Sequence, residues 1–188
     1  MKAPLKYAWL SARVSIVVAI SVLSGCSTYA ASRYSISADT VAALRDLRGQ
    51  SVRVGDFTAA QPGRTEITCR AVGPIKTPDG EAFEAFIRKA LIDELRIAEV
   101  YSERAPITLT GRLDSLDFSS GLTDAAWRVG LTLASSNGRS LTVAEEYKFT
   151  SSWYGETGCN QSAHALMPAV QNVIRKIVQH PDFAGLIR

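Results

Sequence analysis

The sequence holds only two histidines, two methionines and three cysteines, and no apolar run approaches the roughly 20 residues of a bilayer span. It has no Cys-x-x-Cys, no His-Glu-x-x-His, no phosphate-cradling Gly-x-x-x-x-Gly-Lys-Ser/Thr and no Gly-x-Ser-x-Gly elbow. No serine stands three residues ahead of a lysine. Each missing spacing removes a class: thiol redox, zinc hydrolysis, nucleotide hydrolysis, and two forms of serine acylation. No cofactor and no metal is expected. Asp114, Asp117 and Asp124 crowd one hairpin, but without the alternating ligand run of a calcium loop they read as solvated turn carboxylates. His164 follows Cys159 by five positions, a weak geometry for a Cys-His pair. His180, before Pro181, reads as a helix-end residue.

A basic excess is missing where a nucleic-acid binder needs it. Three of the 21 Lys and Arg, namely Lys2, Lys6 and Arg13, precede Cys26 with no acid among them, so the other 18 balance the 18 Asp and Glu. The formal charge of +3 belongs to the leading segment alone. A neutral remainder argues against nucleic acid as a partner.

That leading segment, residues 1–25, has the form of an export signal: a basic start, an apolar stretch from Val14 to Leu23, then small residues. It closes on Leu23-Ser24-Gly25-Cys26, which resembles the lipobox of bacterial lipoproteins at all four positions. The resemblance implies that the Cys26 thiol takes a diacylglyceryl group, that the signal is cut before it, and that the new amino terminus is acylated. Several acyl chains, at about 0.8 kcal/mol per buried CH2, hold a protein stably where one would not. Ser27 after the cysteine, in place of Asp, implies the outer membrane facing the periplasm, with the inner membrane's periplasmic face as the alternative.

With Cys26 given to lipid, Cys69 and Cys159 remain. An even remainder in an exported chain predicts a disulfide between them, against two free thiols or a metal site.

Beyond the signal, residues 26–50 read as the lipidated cysteine and a Ser-rich flexible tether, and residues 51–188 as one domain. Ser51 to Phe57 alternates as a strand, while Ile67, Cys69 and Ala71 fit a strand or an extended loop. Phe83, Phe86, Ile87, Ala90, Leu91 and Leu95 recur at helical spacing. Three alternating stretches follow. In the first, the apolar set changes parity between Leu113 and Leu116, which predicts a β-bulge near Asp114-Ser115. The other two keep odd parity across Ser136-Asn137-Gly138, so a three-residue loop with left-handed Gly138 must pair Leu133 with Leu141 and Trp127 with Tyr147. Glu145 then falls on the core face opposite Val129, marking a sheet margin or a pocket.

The last helix is expected over Ser162 to Gln179, with Pro168 either distorting its first turn or delaying the regular helix to about Met167. Phe183, Leu186 and Ile187 fold back as a clasp. The order β-α-β-β-β-α predicts an α+β two-layer sandwich, a mainly antiparallel sheet with two helices on one face. Trp153, Tyr154 and Tyr147 cluster near the end of the last strand, either closing the core or forming an interface. This order of elements is similar to that of small outer-membrane and envelope accessory lipoproteins. The resemblance implies a non-catalytic module, anchored to the membrane by lipid, that binds or braces an envelope protein. A lipid- or glycan-binding accessory subunit is the alternative and needs an apolar groove. A hydrolase using Cys159 or a serine with His164 is the third reading.

Overall fold

The computed structural model describes residues 28–188. The α+β sandwich is present: a four-stranded sheet covered on one face by helices, with a small three-stranded sheet beside it. The main sheet runs in the order β2 (Arg53–Ala59), β5 (Thr108–Ser119), β6 (Ala126–Ser135), β7 (Ser140–Lys148). β2 and β5 are parallel, because helix α2 (Phe83–Ile97) intervenes and returns the chain, while β5, β6 and β7 form an antiparallel meander. The small sheet orders β1 (Tyr29–Ala30), β4 (Gly73–Lys76) and β3 (Glu66–Cys69), so the stretch around Ile67 is a strand.

Both parity arguments hold. Leu113 pairs with Leu131 and Ser115 with Gly130, leaving Asp114 as the extra residue of a bulge that returns Leu116 and Phe118 to the core side. At the β6–β7 turn Gly138 has φ +87°, Leu133 faces Leu141 and Trp127 faces Tyr147. The opposite face of the sheet is wet and polar: Thr110, Arg112, Arg128, Thr142 and Lys148 are exposed.

Helix α2 buries its expected stripe and stops in a Schellman motif, in which Val100 N–H reaches Leu95 C=O and Glu99 N–H reaches Arg96 C=O. Glu99 takes the left-handed position that glycine usually fills, at φ +63°. The last long helix, α3, is longer than expected, Gly155–Val178, with Pro168 inside it. The bond that Pro168 cannot make belongs to the carbonyl of His164, an exposed residue, so the loss falls on the wet side. The short helix α4 (Phe183–Leu186) places Phe183, Leu186 and Ile187 in the core as the clasp.

The tether over residues 26–50 needs correction. From Thr28 onward the chain is packed against the domain. β1 joins β4, Ala31 is buried, and helix α1 (Ala38–Arg45), capped by Ser37, buries Val41 and Leu44. The segment between them lies along α3: Ser32 Oγ meets His164 Nδ1 at 3.1 Å, and Gln171 donates to the Ser35 carbonyl at 2.7 Å. Across from it, fully buried Glu94 of α2 accepts from Tyr34 Oη at 2.6 Å and Ser37 N–H at 2.7 Å. The β1 pairing, the α3 contacts and this carboxylate together hold ten residues that a Ser-rich composition had suggested were free.

Burial holds the Glu94 carboxyl above the ordinary range, the Tyr34 and Ser37 hydrogen bonds pulling the other way, and its Oε2 has no hydrogen-bond partner. Burial, then the bond to Glu94, raises the Tyr34 phenol. A raised acid binds its proton more tightly when folded. Its stabilising contribution is therefore complete below the unfolded glutamate value and is lost as pH rises through the folded one. Urea unfolding between pH 4 and pH 8 should show Glu94→Gln gaining on the wild type as pH climbs. A difference that stays flat over that range contradicts the assignment.

Candidate functional site

The residues singled out in the sequence fall in separate places. Cys26 lies outside the described residues. Cys69, at the end of β3, and Cys159, in the first turns of α3, are joined, with Cα atoms 5.8 Å apart. Glu145 is buried but partnered, meeting Lys176 Nζ at 2.6 Å and Asn172 at 3.2 Å, which makes it an ion pair between sheet and helix. His164 and Cys159 do not form a nucleophile and base, because the sulfur of Cys159 is bonded and offers no thiolate.

The aromatic cluster divides as well. Tyr147 packs against the core, whereas Trp153 and Tyr154 are 78% and 75% exposed. They belong to an end of the sandwich where three connections meet: the β3–β4 turn, the β5–β6 loop and the β7–α3 link. Leu122, 52% exposed at the tip of the β5–β6 loop, faces the same open depression as Trp153. Single exposed apolar residues are ordinary; Leu122 and Trp153 converging from two loops, with exposed Tyr154 next to Trp153 in the chain, make a patch.

What holds this end in shape is Arg70, which the sequence reading passed over. Arg70 and Ala71, at φ +46° and +54°, are the two central residues of a tight turn closed by Val72 N–H to Cys69 C=O at 2.9 Å. Neither is the glycine or asparagine that this mirror-image turn prefers, and left-handed backbone costs each about 1–2 kcal/mol. The compensation is visible in the arginine fork. It donates to Ser120 Oγ at 2.8 Å, Ser152 C=O at 2.9 Å, Trp153 C=O at 3.2 Å and Ser151 Oγ at 3.2 Å, and also to Ser120 C=O. Ser151 Oγ donates to the same Ser120 carbonyl at 2.7 Å. The disulfide next door ties the turn to α3. Leu122 and Trp153 thus project from loops that are cross-braced rather than loose. The only sequence signal for Arg70 was its place beside Cys69.

A second feature is a cleft of about 220 Å³ at the start of α2, beside the Asp114 bulge. Phe83, Leu113 and Leu116 line it together with Arg64, Glu84 and Asp117. Asp114 accepts from Thr132 Oγ1 at 2.6 Å, and Asp124 from Ser119 Oγ at 2.8 Å, so two of the three hairpin carboxylates are engaged locally. Among the described residues no cluster of His, Cys, Asp and Glu is arranged to hold a metal ion.

No family model matches the chain. No curated protein matches it either. A solved structure from Xanthomonas campestris, described as a DUF330 protein, is similar at a TM-score of 0.49 and 10% identity, over 81% of this chain and 95% of that one. At that level of likeness nothing about function passes from one chain to the other.

Proposed function

We propose that the chain is a lipid-anchored envelope lipoprotein, a non-catalytic binding or bracing module held by acyl chains on Cys26 in the outer membrane and facing the periplasm. The observation that carries the reading is the cysteine account. The sequence has three; the fold bonds Cys69 to Cys159, and the third stands at the fourth position of Leu23-Ser24-Gly25-Cys26. A disulfide suits an oxidising compartment, and a signal ending in that tetrapeptide leads there. Support for a non-catalytic role comes from the bonded Cys159 and from His164, an exposed ring whose side-chain hydrogen bond is to the surface hydroxyl of Ser32. The carrier reading gains no support from the cleft at α2. Its walls carry Arg64, Glu84 and Asp117, and its volume falls below the roughly 300–1,000 Å³ of ligand pockets.

Mass spectrometry of the tryptic peptide Cys26 to Arg33, from cells fed labelled palmitate, tests the anchor. A peptide that begins at Cys26 and carries the acyl mass is expected, and Cys26→Ala should lose the label completely. An unmodified Cys26, or a peptide continuing upstream of it, refutes the proposal. Crosslinking in whole envelopes then addresses the protein that is bound or braced.

A further inference from the structure

Two registers fix where the described chain begins. β1 runs parallel to β4, with Tyr29 opposite Ile75 and Ala30 opposite Lys76, so Thr28 lies on the side of Gly73 and the Arg70 turn. Along α3 the same segment advances with the helix, Ser32 at His164, then Ser35 at Met167 and Gln171. Followed backwards it leads to the first turn of α3, next to Trp153 and Tyr154. Both registers bring Thr28 to the end that carries the exposed Leu122, Trp153 and Tyr154.

Cys26 is two residues from Thr28, and two residues span at most about 7 Å. A lipid on Cys26 leaves no room for a spacer between this end and the membrane. We infer that the Leu122, Trp153 and Tyr154 tip lies in the headgroup zone of the bilayer that holds the Cys26 lipid, making a second, non-covalent contact with it. The inference rests on the lipid anchor proposed above. Trp and Tyr are the side chains that favour this zone, their ring bodies meeting acyl carbons while N–H and O–H stay hydrated. The tip is suited to insertion because its apolar tips are exposed while the backbone groups beneath them are bonded to Arg70. The guanidinium is occupied by those acceptors, so the contact is apolar rather than a capture of phosphate.

The test uses the mature chain from Cys26, whose one unpaired thiol can be coupled to maleimide-bearing phosphatidylethanolamine in vesicles whether or not cells acylate it. Bromine on the acyl chains quenches nearby tryptophan, and Trp127 is fully buried in the core, so Trp153 dominates any change. Quenching of Trp153 emission by about two-fold is expected for the wild type, with most of that change absent in Trp153→Phe. Equal quenching of the two proteins overturns the docking while leaving the anchor intact, and so does a crosslinker at Tyr154 that captures an envelope protein in place of lipid. An unmodified Cys26 peptide from cells overturns the anchor, and the docking with it.

Discussion

Reducing the Cys69–Cys159 bond lowers the stability of the domain by about 4–5 kcal/mol and its melting temperature by roughly 10–20 °C. The magnitude follows from the 90-residue separation, since opening so long a loop returns a large conformational entropy to the unfolded chain. It is set by topology more than by local contacts. The bond joins the small sheet to the first turns of α3, a helix that also packs against β1 and β4. Thermal melts with and without reductant measure it, and the Cys69→Ala, Cys159→Ala double variant should match the reduced wild type and ignore reductant. A reductant-induced change below about 1 kcal/mol would show that the bond constrains little.

Replacing Trp127 by alanine costs about 3–5 kcal/mol, a large share of the 5–15 kcal/mol that holds a typical domain together. Trp127 is fully buried, its ring stacks on Phe118 at a centroid distance of 4.7 Å, and its Nε1 donates to the Ser162 carbonyl at 2.8 Å. Alanine would leave a cavity between sheet and helix and strip that carbonyl of the second donor it has beside its own helix bond. Trp127→Phe keeps most of the apolar volume and loses the hydrogen bond, so it should cost about 1–2 kcal/mol. Urea denaturation of the two variants separates packing from polarity; equal losses would mean that the indole N–H, not the ring, is what matters. Ser162 lies one turn from Cys159, so this contact and the disulfide both fasten the start of α3, and the two changes together should depart from additivity.

The sheet was legible because strands write their geometry into parity. A single change of parity located the Asp114 bulge, and unbroken odd parity across Ser136-Asn137-Gly138 selected the three-residue turn over the shorter one. The docking of residues 28–37 was not legible, for the opposite reason. Its contacts are with residues 45 to 136 positions away, and a two-residue strand carries no pattern of its own. One clue was present: Glu94 sits four positions after Ala90 and three after Leu91, on the apolar stripe of α2, where an acid needs a partner. The exposed tip was half legible. Trp153 and Tyr154 stood out by type, but Leu122 and Arg70 join them only through the fold.

The segment laid along α3 also bears on force. A leash of serines and alanines stretches at little cost, and a pull on its membrane end would be spent straightening it. Under the anchor proposed at Cys26, tension would load Tyr29 and Ala30 first, where their pairing with β4 resists it. Behind them come the grips of Ser35, Tyr34 and Ser37 on two different helices. Tension between the bilayer and any protein bound to the domain would pass into the fold itself instead of being absorbed before reaching it.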